Sequence, residues 1–240
     1  MKRIIVLVIA LWLARGLSAQ NPRPATLEYF GQSCFLLTTS SGLRIIMDPP
    51  ALKYPLPTEE ADVVTVSHEH FDHNNIAAIK GKPVVLRGLR RDGSWNNVDQ
   101  TIKGVHIYNF GTYHDNKEGA AFGKNSIFVY EFDKIKLVHL GDLGHVLDEK
   151  TVKKIGRPDF MLVPVGGQFT IDADKAWQVV GQLSPRVIIP MHYQTVRTME
   201  IAIVPVDSFL KGRKNVRQLG STRTDLTAPP QQEVWVFKTP

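Results

Sequence analysis

Ser67-His68-Glu69-His70-Phe71-Asp72-His73 puts three of the chain's eight histidines and one aspartate into a single short window. The window follows Asp62–Val66, where Val63, Val64, Thr65 and Val66 are β-branched and favour an extended strand. His68 and His70 are two apart, so an extended backbone sends both to one side. Asp72 and His73 follow where the chain must turn. Two nitrogen donors from one pair, and an oxygen and a nitrogen from the other, suit two neighbouring divalent cations. The competing reading is a solvated loop that is merely His-rich; the density of histidines in the window argues against it.

Outward from that window the chain reads as strands first and strand–helix alternation later. Leu27–Gly31, Ser33–Thr38 and Leu43–Met47 are short β-rich runs broken by Gly31-Gln32 and by Ser40-Ser41-Gly42, the pattern of an antiparallel meander. Pro83–Leu86 is a further apolar run, preceded by a short helical candidate near Ile76–Ile79. Val105–Asn109, Ser126–Phe132 and Ile135–Leu140 continue the strands, with Glu131-Phe132-Asp133-Lys134 as a hairpin between the last two. In the second half, strands at Phe160–Pro164, Arg186–Pro190 and Glu233–Phe237 alternate with helices at Asp148–Ile155, Ala173–Leu183 and Val206–Leu210. Asp172 or Thr170 stands where the middle helix needs an oxygen for its free N–H groups. One α+β domain, with helices outside packed sheets, satisfies this order.

Composition limits the alternatives. The chain has 240 residues, 43% of them apolar, with 29 Lys+Arg against 23 Asp+Glu, a net +6. The apolar fraction excludes wholesale disorder. One cysteine excludes a disulfide scaffold and a Cys-built zinc finger. Cys34 lies in the apolar run Cys34-Phe35-Leu36-Leu37 and reads as a buried, inert thiol. Met1-Lys2-Arg3 precedes an uninterrupted apolar run, Ile4–Ala14, shorter than the roughly 20 residues of a bilayer span and the size of a signal-peptide core. We therefore expect a signal peptide over residues 1–19, cleaved after Ala19, a single domain over 20–240, and export to the periplasm or the exterior. A retained anchor or a buried first helix is the alternative. Loss of Lys2, Arg3 and Arg15 lowers the 29 basic residues to 26 against 23 acidic ones, leaving +3. That charge gives no case for a nucleic-acid partner, and Arg87–Arg91 reads as a solvated face. No membrane span is expected after cleavage, and the oligomeric state is not readable.

His-x-His-x-Asp-His after a strand resembles the signature of the metallo-β-lactamase superfamily. The likeness continues in Met47-Asp48-Pro49, Gly111-Thr112-Tyr113-His114-Asp115, His139-Leu140-Gly141-Asp142-Leu143-Gly144-His145 and Ile189-Pro190-Met191-His192-Tyr193, in the family's order. Pro164-Val165-Gly166-Gly167 and Pro190-Met191-His192-Tyr193 are most similar to the small branch that includes L-ascorbate-6-phosphate lactonase. The resemblance implies a four-layer αβ/βα sandwich of two mixed β-sheets with helices on the outer faces. It also implies two divalent metal ions, zinc before manganese or iron. His68, His70 and His114 would take the first ion; Asp72, His73 and His192 the second; Asp142 would bridge them. A hydroxide held between the ions would attack the substrate, with Asp72 as a proton relay.

Several polar residues remain open at this point. Asp48 reads as an acceptor for the N–H of a ligand imidazole, or as a turn residue before two prolines. His145 either lines the substrate pocket or is a polar residue near a helix. Asp115 and Asn125 are candidates to face the cleft. His139 reads as a satisfied core histidine and His106 as a surface one. Gly166-Gly167 shapes a turn or admits a ligand to the backbone. Specificity is expected on Pro50–Glu60, with Tyr54 and Leu56, and on Lys117–Gly123, with Phe122. Hydrolysis of an ester or lactone of a small molecule is the first functional reading, and phosphodiester or nucleic-acid cleavage is the second. The resemblance implies that β-lactamases carry a residue other than Asp at the bridging position, and that diiron redox members carry Glu where His70 stands. A non-catalytic metal-binding protein is the remaining alternative.

Overall fold

The computed structural model describes residues 23–240, so the signal peptide expected over 1–19 lies outside the described residues. The expected meander forms from β1 (Thr26–Gly31), β2 (Cys34–Thr38) and β3 (Arg44–Met47), each antiparallel to the next. Beyond β3 the sheet continues in parallel with β4 (Val63–Val66) and β5 (Val84–Arg87). The short helix expected near Ile76–Ile79 is a 3-10 turn, Ile76–Ala78. The chain then enters a second sheet through β6 (Asp99–Ile102), β7 (Val105–Tyr113), β8 (Lys124–Phe132) and β9 (Ile135–His139), all antiparallel neighbours. There follow α1 (Glu149–Ile155), β10 (Phe160–Pro164), α2 (Ala173–Leu183), β11 (Val187–Met191), α3 (Asp207–Leu210), β12 (Val216–Gln218), β13 (Arg223–Asp225) and β14 (Glu233–Val236). The first sheet has the order β13-β1-β2-β3-β4-β5 and the second β12-β14-β11-β10-β9-β8-β7-β6.

The local chemistry explains most of these elements. The β8–β9 hairpin turns on Asp133 and Lys134, both at positive φ (48° and 64°), a pair that matches strand twist. Lys103 and Gly104 (46° and 82°) do the same between β6 and β7, a hairpin the sequence reading missed although Gly104 signalled it. Asp172, rather than Thr170, caps α2 by accepting the Lys175 N–H at 2.9 Å. Asp148 caps α1 through the Thr151 N–H at 2.8 Å.

The two sheets pack face to face. Leu27, Tyr29, Phe35 and Ile45 of the first meet Ile107, Phe128, Phe160, Ile189 and Trp235 of the second. Each such side chain, fully buried, stabilises the fold by about 1.5–3 kcal/mol. The outer face of the second sheet is covered by Ile155 of α1, Val179 and Leu183 of α2, and Phe209 of α3. Strands β10 and β11 are therefore buried on both faces and read as unbroken apolar runs. The outer face of the first sheet is covered thinly: Cys34, Leu36, Ile46 and Val64 pack under Ile76 and Ile79 of the turn. Cys34 is fully buried, which pushes its thiol pKa up and keeps it protonated.

Strand direction positions the site. Strands β3 and β4 are parallel, so both end on the same edge. Strand β7 is antiparallel to β8 and β8 to β9, so β7 runs with β9, and β10 and β11 are parallel to β9. The C-terminal ends of β3, β4, β7, β9 and β11 deliver Asp48, the Ser67–His73 window, His114, Asp142 and His192.

Candidate metal centre

Strand β4 ends at Val66, and the chain bends at once. His68 and His70 are thus not neighbours along an extended strand, as the two-residue spacing suggested. The bend instead brings His68 Nε2 to 3.0 Å from His70 Nδ1, each ring offering a different nitrogen. Asp48 organises the window from beneath. Its Oδ1 accepts the Ser67 N–H at 2.7 Å, and its Oδ2 accepts the Ser67 hydroxyl at 2.5 Å and lies 2.8 Å from His73 Nδ1. A carboxylate only accepts, so the His73 proton is on Nδ1 and its Nε2 presents a lone pair. The Ser67 hydroxyl is spent on Asp48, so its oxygen accepts from His68 Nδ1 at 2.9 Å, which fixes His68 with Nε2 free. One buried aspartate thereby orients two imidazoles toward the same point.

The second sheet closes the site. Asp142 Oδ2 lies 3.1 Å from His73 Nε2, 3.2 Å from His114 Nε2, 3.2 Å from His192 Nε2 and 3.8 Å from His68 Nε2. Asp72 Oδ2 lies 3.5 Å from His73 Nε2 and 3.9 Å from His192 Nε2. His192 is held at positive φ (51°), its N–H bonded to the Gln32 carbonyl at 3.0 Å. A Cβ on Gly166 would collide with the His192 carbonyl, so Gly166 is required for approach by the protein's own backbone rather than by a ligand. Asp48 (φ 44°) and Gln32 (φ 52°) share this sparsely populated conformation, which marks the site as held in place by its surroundings.

These seven side chains form two groups, His68, His70 and His114, and Asp72, His73, Asp142 and His192, with the offered atoms of each group within 4.8 Å of one another. His73 Nε2, both His114 ring nitrogens and Asp142 Oδ1 are buried with no hydrogen-bond partner among the described residues. Lone pairs and carboxylate oxygens that converge without protons between them call for cations. The electrostatics agree. Burial would raise the Asp142 carboxyl, but His192 and His73 hold it well below the usual range. Burial would lower the His73 pKa, but Asp142 and Asp72 raise it well above the usual imidazole range, because the two carboxylates favour positive charge at this point, which a cation bound at Nε2 would supply in place of a second proton. His68 is pushed down by burial and then by His73. The donor set of imidazole nitrogens and carboxylate oxygens fits divalent metal ions.

Four expectations change in detail. Asn125 does not face the cleft: its Nδ2 donates to Thr112 Oγ1 and the Leu140 carbonyl, and its Oδ1 accepts the Asp142 N–H at 3.0 Å. Asp115 does not face it either. Its two oxygens accept the N–H groups of Lys117, Gly119, Ala121 and Phe122 at 2.7–2.9 Å, shaping the loop that carries Phe122. His145 is not among the residues lining the cavity over the cluster; it accepts from the Tyr113 N–H and donates to the Val146 carbonyl, bracing the strand end before His114. Tyr54 is buried against Thr195 Oγ1, so the Pro50–Glu60 loop supports the site rather than forming its wall. His139 is the satisfied core histidine expected, donating to the Ser33 carbonyl and accepting the Gly141 N–H. His106 sits at the surface, 2.7 Å from Asp99.

A cavity of about 600 Å³ opens over the cluster. Its walls are Phe71, Phe122, Phe169, Ile201 and Ala202, with Gln32 beside Asp72 and Glu200 at the exposed rim. Phe122 was anticipated; Gln32, Phe71, Phe169 and the 200–202 segment were not. Gln32 reads in sequence as the turn between two strands, and its only signal is a polar residue between Gly31 and Ser33.

A family model described as "Beta-lactamase superfamily domain" matches residues 26–192. A metal-dependent hydrolase of Korarchaeum cryptofilum is 33% identical over 70% of this chain and 82% of its own length. Another from Methanosphaera stadtmanae is 29% identical over 72% and 86%. The crystal structure of a candidate zn-dependent hydrolase of the metallo-beta-lactamase superfamily from Thermotoga maritima superposes with a TM-score of 0.74 at 37% identity. It covers 90% of this chain and 100% of that one.

Proposed function

The chain belongs to the metallo-beta-lactamase superfamily, as a metal-dependent hydrolase, and from that premise we propose that it cleaves an ester or lactone bond of a small molecule. In this reading His68, His70 and His114 hold one divalent ion, Asp72, His73 and His192 hold a second, and Asp142 bridges the two. The observation that carries it is Asp142 Oδ2, which faces three imidazole Nε2 atoms at 3.1–3.2 Å and a fourth at 3.8 Å. Two ions bound there would acidify water and polarise the scissile carbonyl.

The chain's own residues supply the rest. Asp72 lines the cavity, and its Oδ2 is oriented by the Gln32 amide at 2.9 Å. Burial would raise its pKa, but His73 lowers it, so at neutral pH Asp72 Oδ2 is a carboxylate able to take the proton of attacking water. It can return that proton to the leaving oxygen. Phe122 and Phe169, in edge contact at 5.5 Å, exclude bulk water from one side. Phosphodiester cleavage is the less favoured reading, because among the described residues no Lys or Arg lines the cavity and Glu200 does. The same feature argues against a phosphate-bearing lactone as substrate, and so against the narrower lactonase branch.

The deciding assay uses purified protein loaded with zinc or manganese against lactones, aryl esters, β-lactams and bis(p-nitrophenyl) phosphate. Turnover of a neutral ester or lactone is expected. Asp142→Ala and His68→Ala should lower kcat/KM by more than the roughly 100-fold that loss of an outer partner brings. Retained activity in both variants, or fewer than about one bound ion per chain, sinks the two-metal reading.

A further inference from the structure

The cavity over the cluster has an acidic rim and no basic one. Apart from the ligand candidates, Glu200 is the one charged side chain among its described walls. This runs against the composition, in which Lys+Arg outnumber Asp+Glu by 29 to 23. Among the described residues nothing neutralises Glu200. The ion pairs made by Lys and Arg all go to other carboxylates. Arg197, close by in sequence, is committed elsewhere: its guanidinium donates to the Lys53 carbonyl at 2.8 Å and to the Pro240 carbonyl at 2.9 Å. Glu200 is exposed, whereas Asp142 and His192 are buried at the floor of the cavity. Its charge therefore acts on the part of a bound molecule that is farthest from the metal centre.

Three aromatic rings share the opening with it. Phe71 is 63% exposed although its carbonyl is tied to the Ala51 N–H at 2.9 Å, so a fixed backbone holds the ring out in solvent. Phe122 and Phe169 meet at an interplanar angle of 71° and form a corner rather than a flat wall. The face of an aromatic ring is electronegative and attracts a cation, most of all one with an apolar surface. An apolar neutral group would gain from the rings but not from the carboxylate, and an anion would be repelled by both. We propose that the cavity mouth is a subsite for an organic ammonium group, with Glu200 as its counter-ion and Phe71, Phe122 and Phe169 as its aromatic enclosure. The preferred substrate is then a small ester or lactone that carries a cationic substituent at the end remote from its scissile bond. The position of that bond rests on the hydrolase reading above; the cation subsite itself rests on the rim. Neutral esters remain substrates, and cationic ones are better ones. Glu200 is a specificity residue that takes no part in the bond cleavage.

The test compares two amides of the same shape that differ in charge alone. One is N-(2-trimethylammonioethyl)benzamide; in the other, N-(3,3-dimethylbutyl)benzamide, a carbon replaces the quaternary nitrogen. Calorimetric titration of the metal-loaded wild type should show the cation binding roughly 10-fold tighter. Glu200→Gln removes the counter-charge at constant size and should bring the ratio to within about 3-fold. Phe71→Leu keeps an apolar side chain without the ring face and should lower the ratio by about 2-fold or more. The metal content of each variant is measured alongside, and only the ratio between ligands is read, so altered metal loading does not mimic the result. Equal binding by the wild type overturns the proposal, as does a preference that survives either substitution unchanged. The matching esters, benzoylcholine and 3,3-dimethylbutyl benzoate, separate the two layers of inference. Turnover of both with equal kcat/KM overturns the cation subsite and leaves the hydrolase reading standing. Charge-dependent binding of the amides with no turnover of either ester does the reverse.

Discussion

The two halves of the metal centre are held by opposite means. His68, His70, Asp72 and His73 come from six consecutive residues, and hydrogen bonds from other side chains orient them: Asp48 and Ser67 for His68 and His73, Gln32 for Asp72. His114, Asp142 and His192 come from three strand ends of the second sheet. Both His114 ring nitrogens and His192 Nδ1 lack a partner among the described residues. In this half it is the backbone rather than the ligand rings that is held: the Asn125 side-chain oxygen accepts the Asp142 N–H, and Gly144 and Gly166 let other segments lie against His114 and His192. A contiguous cluster has flexible loop backbone and needs side-chain bonds to fix its rings. A dispersed cluster inherits its geometry from sheet register and needs only that nothing intrude.

Substitutions should separate the halves. Asp48→Asn keeps a residue that tolerates positive φ but removes one of the two anionic oxygens that serve Ser67 and His73. It should weaken metal binding by roughly 10- to 100-fold with the protein still folded, read by competition with a chromophoric chelator. Unchanged affinity would mean that Asp48 does not set the imidazole orientation. Gly166→Ala should act on the other half through packing. The added methyl meets the His192 carbonyl, so urea denaturation should show a loss of about 1–3 kcal/mol. Metal affinity should fall through displaced His192 alone. A neutral effect on stability would show that the His192 segment is free to move, and would dissolve the contrast.

The smallest effect concerns the loop between the halves. Burial would raise the Asp115 carboxyl, but the N–H groups of Phe122, Lys117, Ala121 and Gly119 lower its pKa to about 2. Such a depressed group contributes stability that is complete above the unfolded carboxyl pKa near 3.9 and is lost as pH falls through about 2. The 117–123 loop should therefore resist acid protease down to about pH 3 and yield below about pH 2. Asp115→Asn should yield earlier and raise KM a few-fold, about 2 to 5, by loosening Phe122. Equal acid sensitivity in wild type and Asp115→Asn would remove the carboxylate from this role.

Much of this architecture was legible in the sequence. The meander, the β8–β9 hairpin and the buried runs of β10 and β11 follow from local propensity and periodicity, while the cap of α2 was narrowed only to Asp172 or Thr170. Strands β6, β12 and β13 were not, because they are short and largely exposed and carry no apolar alternation. His68, His70, Asp72 and His73 were recognisable because His and Asp in that spacing have little other use, whereas His114, Asp142 and His192 stand alone in the sequence and were marked only by the family resemblance of their surrounding segments. The residues around them were not. Asp115, Asn125 and His145 are polar neighbours of ligand candidates, and nothing in their identity says whether they face a cavity or a backbone amide. Packing from distant segments decides it: for Asn125, the position of Leu140 and Asp142; for His145, that of Tyr113.

The sequence by itself determined the fold family, the donor types and the split between one contiguous and one dispersed half, because these depend on which side chains exist and in what order. Tertiary structure alone decided which nitrogen each imidazole offers, that Gln32 holds Asp72 through its amide, and that the cavity is walled by phenylalanines without a cation among the described residues. Those properties arise where segments far apart in the chain come within hydrogen-bonding distance. A tautomer or an unpaired oxygen is a property of the neighbours, and the sequence does not list neighbours.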